Sequence, residues 1–151
     1  MKFTTTLLLA IFSMLAISCE QDPIEQPEAK SVTINRIDVL SYRTGSYDFN
    51  NDPDVYINLI EVIASNPAKG FTTNVVSDAA QGTVLEYQTN FTTSDFDAEW
   101  DLLLYDYDAG DADDYIDGGT FDFRKFVEDR PATIAFNGPT LSVELVVQWN
   151  D

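Results

Sequence analysis

The sequence predicts an all-β fold, an eight-stranded antiparallel β-sandwich. Three observations carry that prediction. Leu141, Val143, Leu145, Val147 and Trp149 alternate with Ser142, Glu144 and Gln148, the period-2 pattern of a strand with one face on a core. Short apolar runs of similar length recur along the chain, separated by Gly70, Gly82, Gly110, Gly118-Gly119 and Asn137-Gly138-Pro139. No stretch carries the 3.6-residue periodicity of a long amphipathic helix. Many short strands with regular turns and no long helix pack as two stacked sheets.

The first element is not a strand. Met1-Lys2 is a short positive segment, Phe3 to Ile17 is an apolar run, and Leu15-Ala16-Ile17-Ser18 leads into Cys19. Residues 1–18 therefore read as a secretory signal, too short to span a bilayer. Cys19 is the only cysteine and has no internal disulfide partner. The segment resembles a bacterial lipobox, with Ala16 where leucine is usual, in the relaxed form of Bacteroidota lipoproteins. That resemblance implies that Cys19 is lipid-modified, for example by palmitate, and anchors the protein in the cell envelope, at the outer membrane or cell surface. Residues 19–30 then form a tether. Glu20 to Lys30 is polar and acidic with two prolines, and extends by roughly 3 Å per residue. Acidic residues directly after the cysteine also resemble a surface-export signal of the same lipoproteins.

The folded body spans 31–151. Strands are expected over Val32 to Ser41, Val55 to Ile63 and Phe71 to Ser77. Leu85, Tyr87, Thr89 and Phe91 share one parity, as do Trp100, Leu102 and Leu104. Tyr115 to Phe123, Ala132 to Phe136 and the closing strand complete the set. Phe126 to Arg130 hints at one helical turn, which Pro131 ends. The expected core is Ile37, Val39, Val55, Ile57, Leu59, Val75, Leu85, Tyr87, Trp100, Leu102, Leu104, Phe121, Phe123, Ile134, Leu141, Val143, Leu145 and Val147.

Composition narrows the function. With 26 acidic residues against 8 basic ones the net charge is -18. Nucleic acid and anionic membranes offer such a surface nothing to neutralise. Cations or basic partners suit it better. The chain has no histidine, which removes the commonest general base and the commonest transition-metal ligand. No nucleophile motif is present, and the body is too small to frame a substantial cleft, so the protein is not expected to be an enzyme. A hydrolase working through the carboxylates of Asp106 and Asp114 is a remote alternative.

The candidate site is the stretch from Leu102 to Ile116. An apolar strand runs into a loop holding Asp106, Asp108, Asp111, Asp113 and Asp114. Continuing the inward parity of Trp100, Leu102 and Leu104 puts Asp106 and Asp108 on the core-facing row at a rim between the sheets. A short excursion brings Asp114 back before the next strand. Carboxylates that close repel one another and destabilise the compact state. A bound hard cation relieves this, and Ca2+ takes about six to eight oxygen ligands. A merely solvated acidic edge is the alternative. An EF-hand starting at Asp106 fails, because its required glycine would be Asp111.

The spacing Asp106-x-Asp108-x5-Asp114, between Leu104-Tyr105 and Tyr115-Ile116, resembles the third calcium loop of C2 domains, in which "LxVxDxD" leads into "xxxxDDFIG". Asp52-Pro53-Asp54-Val55 resembles the "DPYV" that opens the strand after that family's first calcium loop, with Asp54 in the tyrosine position. The family's first ligand falls at Ser46, with Asp48 the nearest acid. Only Glu86 is kept of "NPxWNE", and Asp117 replaces the glycine after "DFI". The resemblance covers about Ser31 to Asp151, and a C-terminal closing strand implies the phospholipase-C-like arrangement of the sandwich. It implies Ca2+ ligands at Asp48, Asp52, Asp106, Asp108 and Asp114, with Asp111 as an auxiliary.

These readings give a lipid-anchored, calcium-binding, C2-like module of the bacterial cell envelope. Calcium would serve stability or docking to phospholipid, an envelope protein or a glycan. Docking on anionic lipid lacks its usual basic strand, since Lys69 is the only basic residue between Arg43 and Arg124. The alternative is a carbohydrate- or peptide-binding sandwich of a nutrient-uptake system without a functional calcium site.

Overall fold

The computed structural model describes residues 28–45, 52–62 and 69–151. The signal segment, Cys19, most of the tether and Asp48 lie outside these residues. Among the described residues eight strands follow in chain order: β1 Ser31–Ser41, β2 Val55–Glu61, β3 Gly70–Thr72, β4 Leu85–Thr93, β5 Glu99–Asp106, β6 Asp114–Asp122, β7 Thr133–Asn137 and β8 Ser142–Asn150. They form two antiparallel four-stranded sheets, β4-β1-β8-β7 and β3-β2-β5-β6. The C-terminal strand β8 closes the first sheet beside β1, as the sequence predicts. Among the described residues no helix is long and apolar enough to cross a membrane.

Alternation produces the core. β2 reads buried at Val55, Ile57, Leu59 and Glu61, and β5 at Trp100, Leu102, Leu104 and Asp106, so the two strands turn one row each inward. Between the sheets these rows meet Ile37, Val39, Leu85, Tyr87, Val143 and Leu145. Burying a side chain of this size contributes about 1.5–3 kcal/mol. Phe91 packs edge-on against Trp100 with centroids 5.1 Å apart.

Several expectations need correction. The third strand pairs only over Gly70–Thr72; beyond it a single bridge joins Val76 to Val55. The chain leaves the ladder there because Thr73 turns its hydroxyl onto the Ile57 N–H (2.9 Å) and the Asn74 carbonyl (3.0 Å). Val75 is consequently 37% exposed rather than core. Phe121 is only partly buried. The helical turn comes earlier, as a 3-10 helix over Arg124–Phe126, and Arg130 ends the segment in the left-handed region at φ 44 just before Pro131.

Val32 and Ile34 join the core, as does Ile116. A β-bulge explains each. Register shifts between Ile34 and Arg36 in β1, so the inward row changes from even to odd residues at Asn35. In β6, Leu104 pairs with Asp117 and Tyr105 with Tyr115, leaving Ile116 as the extra residue.

Candidate functional site

The strand ends joined by β1–β2, β3–β4, β5–β6 and β7–β8 all lie at one end of the sandwich, called the rim below. Antiparallel pairing dictates this, since each connection leaves or enters its strands at the same end of the two sheets. The rim brings the Asp52-Pro53-Asp54 entry to β2 beside the acidic loop that follows β5: Val55 is the register partner of Asp106, and Asp106 that of Asp114.

Asp106 is the fixed point. It closes the inward row of β5 and is fully buried. The Asp54 N–H donates to its Oδ1 at 2.6 Å, and the Tyr107 N–H donates to the Asp54 carbonyl at 2.8 Å. Asp54 in turn accepts the Asp78 N–H on Oδ1 (2.8 Å), and the Pro53 carbonyl accepts the Ala79 N–H (2.8 Å). Asp78 sits in the left-handed region at φ 50, a conformation that Asp tolerates. Three connections are thus joined through one Pro-Asp pair. Two buried phenols reinforce the joint. The Tyr87 hydroxyl crosses from β4 to the Val55 carbonyl (2.8 Å), and the Tyr42 hydroxyl donates to the Ala79 carbonyl (2.5 Å). Burial pushes the Tyr87 phenol up, and the nearby Tyr42 adds to the effect.

The acidic loop, residues 107–113, turns at Gly110, whose φ of 100° strains any side-chain-bearing residue. The Asp113 carboxylate accepts the Asp108 N–H (3.1 Å) and the Tyr56 hydroxyl (2.7 Å), which ties the loop to β2. Asp111 accepts the Ala112 N–H at 2.9 Å. Asp108 is half-buried, whereas Asp52, Asp111 and Asp114 are exposed. Parity thus puts Asp106 inward as expected, while Asp108 belongs to the loop beyond the strand. All five described candidates stand on one rim. Among the described residues, no three carboxylate, thiol or imidazole side chains close into a ready-made metal cage.

Asp54, Asp113 and Asp117 are not among the ligands expected from sequence. Asp54 and Asp113 carry visible signals, as second acids within Asp-Pro-Asp and Asp-Asp. Asp117 does not, because the bulge at Ile116 reverses the parity that Tyr115 would give it. Its 5%-exposed carboxylate accepts the Arg43 N–H (3.1 Å), the Gly118 N–H (2.9 Å) and the Thr140 hydroxyl (2.6 Å). It therefore pins β6 to the β1–β2 and β7–β8 connections.

A row of tyrosines borders the rim on the outer face of the β3-β2-β5-β6 sheet. Tyr56 stacks on Tyr105 with centroids 5.6 Å apart, and Tyr115 meets Tyr105 edge-on at 5.8 Å. Partial burial, and then the hydrogen bond to Asp113, push the Tyr56 phenol up to about 12. Tyr115 is also raised, first by burial and then by Asp117, with Arg43 opposing. Arg43 is the one basic residue at the rim among those described.

The donor set has a definite chemistry. It offers carboxylates, with backbone carbonyls near them, and no nitrogen or sulfur ligand among the described residues. Such oxygen donors suit a hard cation, Ca2+ or Mg2+, and not zinc or copper.

No protein-family model matches the sequence, and no curated protein matches it. Solved structures do. A human GIVD cytosolic phospholipase A2, in complex with a fluorophosphonate inhibitor and terbium chloride, is similar with a TM-score of 0.58 and 18% identity over 82% of this chain. A C2 domain of a plant extended synaptotagmin 1 gives 0.55 and 14% over 83% of this chain and 97% of its own. A structure described as a C2 domain gives 0.54 and 12%, covering 80% of this chain and 98% of that one. The chain spans only 16% to 18% of the human phospholipase chains it matches. At these identities the likeness shows the fold: this is a C2-like β-sandwich.

Proposed function

We propose that this chain is a non-catalytic, calcium-binding C2-like module, attached to the bacterial cell envelope through a lipid on Cys19. One observation carries the calcium reading. Aspartates of two connections, β1–β2 and β5–β6, share a single rim, and the basic residue that the described structure offers there is Arg43 alone. Asp52, Asp106, Asp108 and Asp114, with Asp111 as auxiliary and Asp48 from the segment outside the described residues, would hold the ion. A hard cation would supply the positive charge that this rim lacks. A fold similar to a phospholipase structure determined with terbium chloride, another hard oxygen-seeking cation, agrees with that chemistry. Calcium would stiffen the loops or complete a docking surface, and at the cell surface a Kd of about 10⁻⁴–10⁻³ M suffices.

The test is thermal unfolding in millimolar Ca2+, in Mg2+ and in chelator. Ca2+ should raise Tm above both controls, and Asp108→Asn should abolish the rise while Asp129→Asn leaves it. A Tm indifferent to Ca2+ ends the calcium reading. The anchor is tested separately in cells fed an alkyne-tagged fatty acid. Label should appear on the wild type, and Cys19→Ser should lose it; a labelled Cys19→Ser protein would refute the anchor.

A further inference from the structure

A second surface, distinct from the aspartate ligands, has a chemistry of its own. Between Phe71 and Thr93 the chain carries only two charged residues, Asp78 and Glu86, yet six threonines, two asparagines and two glutamines. This stretch folds as β3, its connection and β4, and two adjoining clefts follow it. One, of about 280 Å³, lies at the open side of the sandwich between residues 71–74 and 88–91. Phe71 and Phe91, their centroids 5.1 Å apart, form its apolar floor. The second, of about 330 Å³, shares Thr72 and Thr73 with the first and passes over β3 toward Tyr56, Asn58 and Tyr107. Each is near the lower bound of small-ligand sites, about 300–1,000 Å³; the two share Thr72 and Thr73 as a common wall and are called the trough below.

The trough is nearly uncharged in a chain of net charge -18. Asp113 is its single ionisable carboxylate, and that group already accepts the Tyr56 hydroxyl and the Asp108 N–H. Its other polar groups are hydroxyls and amides. The hydroxyls of Thr73 and Thr89 are used on backbone groups, and the Thr72 hydroxyl reaches Asn58 at 3.4 Å. The Asn74, Gln88 and Asn90 side chains are exposed at the cleft and make no side-chain hydrogen bond among the described residues, so their amides are open to a ligand. Tyr107 stands 45% exposed at the other end.

We infer that this trough binds a neutral oligosaccharide chain. A sugar ring presents an apolar C–H face that an aromatic ring can cover, and vicinal hydroxyls that an amide can bridge. The trough supplies both in alternation and no cation for an anionic ligand. A peptide added as a strand to β4 would fill the first cleft only, whereas the trough crosses β3 to the tyrosine face. This reading does not rest on calcium, because the β3–β4 half uses none of the proposed ligands.

Affinity electrophoresis of the full-length protein through gels of xyloglucan, galactomannan, barley β-glucan, arabinoxylan, starch or laminarin tests it, in Ca2+ and again in chelator. At least one neutral polysaccharide should retard the protein in both conditions. Asn90→Ala and Tyr107→Ala should each weaken the retardation tenfold or more, and Gln148→Ala, two strands from β4 on β8, should not. No retardation across the panel, or equal retardation of all variants, overturns the inference, whatever the calcium melting experiment gives. Displacement of the polysaccharide by a Thr/Asn-rich peptide also overturns it and makes the trough a peptide site.

Discussion

The two ends of the sandwich hold their carboxylates in opposite ways. Away from the rim, side-chain cations do it: Lys69 approaches Glu61 at 3.7 Å, Lys125 holds Asp122 at 2.9 Å and Arg130 holds Asp151 at 2.8 Å. Arg124 and Asp97 pair there as well. At the rim, backbone N–H groups and hydroxyls do it, on Asp54, Asp106, Asp113 and Asp117. A hydrogen bond orients a carboxylate without cancelling its charge. Several carboxylates of the far end are thus matched by side-chain cations, whereas the rim has Arg43 as its one basic residue among those described. That contrast distinguishes a structural acidic patch from one suited to a cation.

The largest effect should come from the buried rim tie. Asp117→Ala leaves the Arg43 and Gly118 N–H groups and the Thr140 hydroxyl without their acceptor, at about 1–3 kcal/mol for each group that stays buried. Chemical denaturation should show a loss of about 1–3 kcal/mol. A loss below 1 kcal/mol would mean that water replaces the carboxylate and that the rim is not rigid.

Next in size is the cation itself. At 100 Kd, Ca2+ should add about 2.7 kcal/mol, or about 5–10 °C in Tm for a chain of this length. High NaCl should erode part of the difference between the ends, since screening acts on exposed like charges. If Lys125→Ala removes the calcium response as fully as Asp108→Asn does, the two ends are not independent.

Tyr56 offers a smaller, spectroscopic contrast. Its phenol is raised to about 12, by burial first and the Asp113 hydrogen bond second. The unfolded chain releases that proton near pH 10. Folding stability from this group is thus complete below pH 10 and lost as pH climbs toward 12. Asp113→Asn should bring its absorbance titration part of the way back, the burial contribution remaining. An unmoved titration would sever the loop from β2.

The smallest effect belongs to the opposite end. The Lys125 hydrogen bond holds the Asp122 carboxyl below its usual range, although partial burial opposes it. The stability it lends is present above the ordinary carboxylate pKa and lost as pH falls through the lowered one. Lys125→Ala should cost under about 1 kcal/mol at neutral pH, as exposed pairs do, and flatten the acid limb. A larger cost would mean that this end depends on its ion pairs.

Much of this was legible from alternation alone. β5 and β8 keep one register from end to end, so Trp100, Leu102, Leu104, Val143, Leu145 and Val147 lie inward as their parity demands. Asp106 follows for the same reason. Sequence parity fails where an extra residue enters a strand. Asn35 hides Val32 and Ile34, and Ile116 hides Asp117. A bulge has no fixed sequence mark and changes every side assignment beyond it. The trough was invisible for a different reason. Phe71 and Phe91 are 20 residues apart in sequence and read as ordinary strand residues until two sheet edges bring them side by side.

The Pro53-Asp54-Val55 segment also has a dynamical consequence. It fastens Val76 and Ala79 of one connection and Tyr107 of another, so neither can swing away alone without breaking bonds at the same three residues. Amide hydrogens of Val76, Asp78, Ala79 and Tyr107 should then exchange with solvent through one shared opening, at matching rates. An event at the acidic loop would reach the foot of the trough, beside Asn74, through this single clasp.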